Sequence, residues 1–177
     1  MEGLRLAWAP VPSSRDGRRT VAWGLLRGLL ADAGTPSAEL TNPCPTCGGP
    51  HGPVQVDDKR WFASVTYAGA TAVVGILPRA GTAGFALDAE PLHDSVREAA
   101  GGAPGGLRRW VRVEAALKTT GFGLRVDPAS IHVVARDDSS VWSAHVPDEA
   151  RQGLVAARGE DLSGPPGILL CAARIPQ

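Results

Sequence analysis

The chain has 177 residues, and its 18 Lys+Arg balance 18 Asp+Glu to a formal net charge of zero. With 44% hydrophobic and 20% charged residues, it has the composition of a globular protein. A whole-chain basic footprint for nucleic acid is excluded, so any anion site must be local. No apolar run approaches the roughly 18 residues of a membrane span. The first residues lack the apolar core of a secretory signal, and three cysteines suit no disulfide framework. Both features predict a cytoplasmic chain.

In chain order, residues 4–9 read as a strand closed by Pro10 and Pro12, and residues 13–17 as a turn. Arg19, Ala22, Trp23, Leu26, Leu29 and Leu30 recur at helical spacing until Gly34-Thr35-Pro36 stops the helix. Residues 41–53, rich in Pro, Gly and Cys, predict a loop. Residues 61–66 and 71–77 are β-rich runs around Tyr67-Ala68-Gly69-Ala70 and predict a hairpin; residues 84–90 predict a third strand. Past Pro91, residues 92–100 predict a short helix and residues 101–106 a glycine-rich break. Residues 107–120 predict a strong helix ended by Gly121 and Gly123. Residues 131–135 and 141–146 flank a second hairpin turn at 136–140, and residues 168–173 form a last strand. Each half then holds one substantial helix and about three strands. The expectation is an α+β fold of two similar halves, 1–90 and 91–177, in one compact unit, with helices on antiparallel sheets.

Asp88 and Glu90 stand two apart on the third strand, so both side chains share one sheet face while Leu87 and Ala89 share the other. Two readings are open. The pair is either a solvated strand end, or a set of hard oxygen ligands suited to Mg²⁺, which keeps waters and borrows oxygens from substrate phosphates. On the strong helix, Glu114 and Lys118 form an i, i+4 pair in the favourable order. That is either a surface ion pair worth on the order of 0.3 kcal/mol, or a third oxygen ligand with a proton donor or phosphate partner beside it.

Phe85-Ala86-Leu87-Asp88-Ala89-Glu90, followed by Trp110-Val111-Arg112-Val113-Glu114-Ala115-Ala116-Leu117-Lys118-Thr119-Thr120-Gly121, resembles the Sfp-type 4′-phosphopantetheinyl transferases. Their pattern is a G-x-D-x-E strand, then W-x-x-K-E-(A/S)-x-x-K-x-x-G on a helix. Upstream, Asn42-Pro43-Cys44-Pro45-Thr46-Cys47-Gly48-Gly49-Pro50-His51-Gly52 resembles that family's C-x-x-C-G-x-x-H-G-(K/R)-P loop. Trp61-Phe62-Ala63-Ser64-Val65-Thr66-Tyr67-Ala68-Gly69 falls where the family carries F-N-x-S-H-S. The resemblance runs in order from about residue 15 to residue 123.

The resemblance implies a monomeric pseudo-dimer of two α+β halves with the active site in the cleft between them. It implies transfer of the phosphopantetheine arm of coenzyme A to a serine of an acyl or peptidyl carrier protein, releasing 3′,5′-ADP. Asp88, Glu90 and Glu114 would bind Mg²⁺, Glu114 would accept the serine proton, and Lys118 would stabilise or protonate the departing 3′,5′-ADP. Arg15, Arg18, Arg19, His51, Thr66, Tyr67 and Lys118 would bind coenzyme A. The three arginines also carry a physical signal: cations at a helix start oppose its dipole unless an anion binds there. The alternative is an ordinary Arg-rich surface. Arg60 is a further phosphate candidate, and Arg108, Arg109 and Arg112 would face the acidic carrier protein.

The departures are Ala86 for the strand glycine, Val113 for the helix lysine, Thr66-Tyr67 for the Ser-His pair, and Pro53-Val54 where the loop carries its basic residue. They motivate an alternative, a degenerate relative that binds carrier protein or coenzyme A without transfer. Cys44-x-x-Cys47 with His51 is also half a zinc site without a fourth ligand. It would make a zinc-binding interaction module, or else a glycine-assisted turn with His51 lining the adenine pocket. Cys171, in an apolar run, reads as a buried small hydrophobe.

Overall fold

The computed structural model describes residues 1–93, 105–121, 125–136, 139–148 and 151–177. Most of the expected 92–100 helix and of the glycine-rich break, Gly123, and the centre of the 136–140 turn lie outside them. The chain is α+β, with two α-helices and three antiparallel sheets among the described residues. No helix there is long and apolar enough to cross a membrane. Two compact units divide between Ala80 and Gly81.

The first unit runs β1 (Arg5–Pro10), α1 (Arg15–Asp32), β2 (Leu40–Thr41), β3 (Gln55–Val56), β4 (Trp61–Ala68) and β5 (Thr71–Pro78). β5 is the middle strand of a β1-β5-β4 sheet, and β2 pairs with β3. The expected hairpin is β4–β5, turning at Gly69, whose φ of +55° suits a residue without Cβ. α1 starts inside the stretch expected as a turn, because the Ser14 side chain caps it by accepting the Gly17 N–H at 3.3 Å. Ala22, Leu26 and Leu30, spaced by four, are fully buried and pack with Ala63, Ala72, Val74 and Ile76.

The second unit runs β6 (Thr82–Pro91), α2 (Leu107–Lys118), a 3₁₀ turn at Pro128–Ser130, β7 (Val133–Ala135), β8 (Val141–Asp148), β9 (Gly153–Leu162) and β10 (Ile168–Pro176). The sheet order is β6-β10-β9-β8-β7. β6 pairs along its length with β10, from Pro91 opposite Ile168 to Thr82 opposite Pro176. The strand carrying Asp88 and Glu90 therefore belongs to the second unit, and the division falls before it rather than at Pro91. β9 was not expected. Its buried face is Val155, Ala157 and Gly159, too small to show as an apolar alternation. Gly159 is required there, since a Cβ would collide with the Trp142 ring.

α2 lies on this sheet through Val111, Val113, Ala115, Ala116 and Leu117, against Trp142, Ala144, Val146, Ala157, Cys171 and Ala173. It is also held by charge. Arg112 donates to both carboxylate oxygens of Asp161 on β9, at 2.8 and 2.7 Å, and to the Ser139 carbonyl at 3.0 Å. The Cys171 thiol donates to Asp161 Oδ1 at 3.2 Å. Burial alone would raise the Asp161 carboxyl, but Arg112, Cys171 and Arg108 outweigh it and hold its pKa below the ordinary value.

A depressed carboxylate stabilises the fold above its unfolded pKa and loses that effect as pH falls through its folded pKa. Asp161→Asn is therefore expected to destabilise the second unit at neutral pH by about 2 kcal/mol, the range of a hydrogen bond to a charged group. The gap between the two proteins should close below about pH 4. Urea denaturation across pH checks this, and a gap that widens in acid would contradict it.

Candidate functional site

Antiparallel pairing puts Asp88 opposite Cys171 and Ala86 opposite Ala173. Gly84, Ala86, Asp88 and Glu90 therefore share the face on which α2 packs. Small residues let the helix come close: a Cβ at Gly84 would lie 2.5 Å from the Thr119 carbonyl oxygen at the end of α2. That approach brings Glu114 and Lys118 over the acidic strand. Carboxylate oxygens of Asp88, Glu90 and Glu114 all lie within 4.8 Å of one another. Lys118 Nζ donates to Asp88 Oδ1 and lies 3.4 Å from Glu114 Oε2. Asp88 is 2% exposed and Glu90 8%, so the solvated strand end does not describe this pair. The Glu114–Lys118 pair is likewise no isolated surface bridge, since it closes on a buried aspartate.

Burial is the largest cause pushing Asp88 up to about 7; Glu114 adds to it, and Lys118 opposes it. For Lys118, burial works to lower the pKa, but Asp88 and Glu114 outweigh it and raise it. The ammonium thus stays charged while Asp88 resists ionising. Three carboxylates converge beside one lysine, and a divalent cation with oxygen preference would add positive charge among them. The donor set fits Mg²⁺: hard oxygens only, from two rigid elements.

In the first unit, Arg18 stacks on the Tyr67 ring at 4.6 Å and donates to the Gly69 carbonyl at 3.3 Å. Arg19 donates to the Pro50 carbonyl at 3.0 Å and stacks on Trp23 at 5.2 Å. The start of α1, the end of β4 and the 42–52 loop are thereby drawn together. Burial raises the Tyr67 pKa, with the Arg18 and Arg19 charges opposing. Arg15 is exposed on the same first turn. Thr66 is buried, and strand alternation turns it to the opposite face of β4 from Tyr67. His51 Nε2 lies 3.0 Å from Cys47 Sγ.

One arginine expectation is corrected. Arg112, expected to face a partner, is buried in its pair with Asp161, and Arg109 donates to the Ile131 carbonyl at 2.7 Å. Arg108 remains exposed, 3.6 Å from Asp161. Arg60 is engaged by Asp58 at 2.8 Å. The Asp161 anchor of α2 was missed because β9 was missed; its only sequence signal was an acid in a glycine-containing run. No protein-family model matches the chain, and no curated protein matches it.

A carboxyl raised in the fold stabilises it while protonated. That contribution is complete below the unfolded pKa of about 4 and is lost as pH rises through about 7. The stability of the wild type relative to Asp88→Asn is expected to fall across that window in thermal unfolding. Added Mg²⁺ in mildly alkaline buffer should restore part of the loss in the wild type but not in Glu114→Gln. A pH-independent difference would show that Asp88 is not the titrating group.

Proposed function

We propose that this protein is a Mg²⁺-dependent transferase that moves the 4′-phosphopantetheine arm of coenzyme A onto a carrier-protein serine. The observation that carries this reading is the convergence of buried Asp88 and Glu90 with Glu114, and Lys118 held between Asp88 and Glu114. These are the residues to which the sequence resemblance to Sfp-type 4′-phosphopantetheinyl transferases assigns metal binding and proton transfer. The two α+β units would then be the halves of a pseudo-dimer with the active site in their cleft, working as a cytoplasmic monomer.

In the reaction the serine Oγ forms a bond to the phosphorus bearing the pantetheine arm. The bond from that phosphorus to the 3′,5′-ADP oxygen breaks. Asp88, Glu90 and Glu114 would hold a Mg²⁺, which when bound would offset negative charge on the pyrophosphate oxygens. Glu114 accepts the serine proton. Lys118 presents its ammonium to the departing 3′,5′-ADP. Of the residues the resemblance assigns to coenzyme A in the first unit, Arg18, Arg19 and Tyr67 form one group beside exposed Arg15, suited to a terminal phosphate. Thr66 lies on the other strand face and His51 against Cys47, so neither is counted with them. Val113, where the family has lysine, is fully buried on the sheet-facing side of α2.

Mass spectrometry of apo carrier proteins incubated with the protein, coenzyme A and Mg²⁺ tests this. A gain of one phosphopantetheine group is expected. It should fall by about 100-fold or more in Glu114→Gln, the scale of losing a positioned general base. No gain on several carrier proteins, with coenzyme A still bound, would identify a non-transferring relative instead.

A further inference from the structure

The 42–52 loop holds a second, chemically different cluster. Cys44 Sγ, Cys47 Sγ and a His51 ring nitrogen all lie within 4.8 Å of one another. The loop's own backbone builds this arrangement. Gly52 N–H donates to the Asn42 carbonyl at 2.8 Å, and Cys44 N–H to the Gly49 carbonyl at 2.7 Å. Gly48 N–H donates to the Cys44 carbonyl at 2.8 Å, with Gly48 at φ +72°. The Asn42 side-chain amide and Arg19 both donate to the Pro50 carbonyl, at 2.9 and 3.0 Å. Asn42 thus clamps the loop across its base, and Arg19 ties it to α1.

Glycine at 49 lets His51 come against Cys47: a Cβ there would lie only 3.2 Å from His51 Cδ2 and 3.3 Å from both His51 Nε2 and Cys47 Sγ, a tight fit.

We propose that Cys44, Cys47 and His51 form a zinc site with one open coordination position. Two thiolates and an imidazole suit Zn²⁺ and not Mg²⁺. A tetrahedral site needs ligand atoms about 3.5–3.8 Å apart, from Zn–S of about 2.3 Å and Zn–N of about 2.0 Å. The 3.0 Å between Cys47 Sγ and His51 Nε2 would have to widen to that by a small turn of the ring on metal binding. Among the described residues the cluster has three protein ligands. The fourth place is left for water or an exogenous thiolate or oxygen ligand. A redox disulfide would use the two cysteines alone and gives no reason for the imidazole to lie against Cys47. The site is independent of the transferase reading, since it lies in the other unit and uses none of the carboxylates.

The test is Co²⁺ titration of the full reduced chain, followed by Zn²⁺. Sulfur-to-cobalt charge-transfer absorption in the near ultraviolet reports thiolate ligation, which the carboxylate cluster cannot give. The expected result is a stoichiometric band that Zn²⁺ displaces. Cys44→Ser and Cys47→Ser should abolish it. His51→Ala should weaken cobalt affinity by at least about tenfold, the least that even an outer-shell partner costs. Circular dichroism should show each variant folded, and Glu114→Gln should keep the band. The proposal is overturned by a missing band in the reduced wild type, by a band that survives both cysteine variants, or by an unchanged affinity in His51→Ala.

Discussion

The close approach of α2 to β6 is the constraint from which the acidic site follows. Gly84 gives no Cβ to push against the Thr119 carbonyl, and Ala86 and Ala173 keep the face beneath the helix low. Larger residues there would lift the end of α2 off the strand and separate Glu114 from Asp88. The approach has an electrostatic cost, because it forces carboxylates together out of water. Lys118 offsets part of that cost from the last turn of α2, where a cation also suits the helix dipole. The Arg112–Asp161 pair holds the same helix from its other side. Raised Asp88 and depressed Asp161 show two kinds of carboxylate in one unit. The first is raised mainly by burial, with the Glu114 charge adding to it; the second, half-buried, is matched by a fork of donors.

Much of this was legible in the sequence where the signal was local. The i, i+4 spacing of Ala22, Leu26 and Leu30 marked α1, and the run from Trp110 to Lys118 marked α2. Strand alternation alone puts Asp88 and Glu90 on one face. What the sequence could not show was burial. Two acids at a strand end look the same solvated or enclosed, and only the helix above them decides. β9 was invisible for a related reason. Its inward residues are small because Trp142 already fills the space, so its pattern is a consequence of a neighbour. The boundary at Pro91 followed composition, whereas the chain divides by strand pairing, which is non-local.

The first unit shows how aromatic rings compensate for crowded arginines. Arg18, Arg19 and Arg27 each lie over a Tyr67 or Trp23 ring, at 4.6, 5.2 and 5.7 Å. Each guanidinium keeps one face and several N–H donors available while the ring takes the other face. Cations near the start of α1 would otherwise work against its dipole, and Asp16 in the first turn offsets only one of them. The arrangement keeps positive charge fixed beside the loop rather than dispersed in solvent, a condition for binding a small anion with little ordering entropy.

The two clusters differ in ligand hardness and in burial, and the differences reinforce each other. Asp88 and Glu90 are enclosed by strand and helix, so the charge they carry must be answered from within or by a hard cation. Cys44, Cys47 and His51 sit on an exposed or half-exposed loop, where ionised groups carry little desolvation penalty. A borderline ion there would add a covalent-like clip to a turn that Asn42 and Arg19 already close. It would also fix the position of the Pro50 carbonyl that Arg19 grips, and so the orientation of that guanidinium. A single chain can keep the two ions apart without any gate, because thiolates reject Mg²⁺ and Mg²⁺ needs the all-oxygen set.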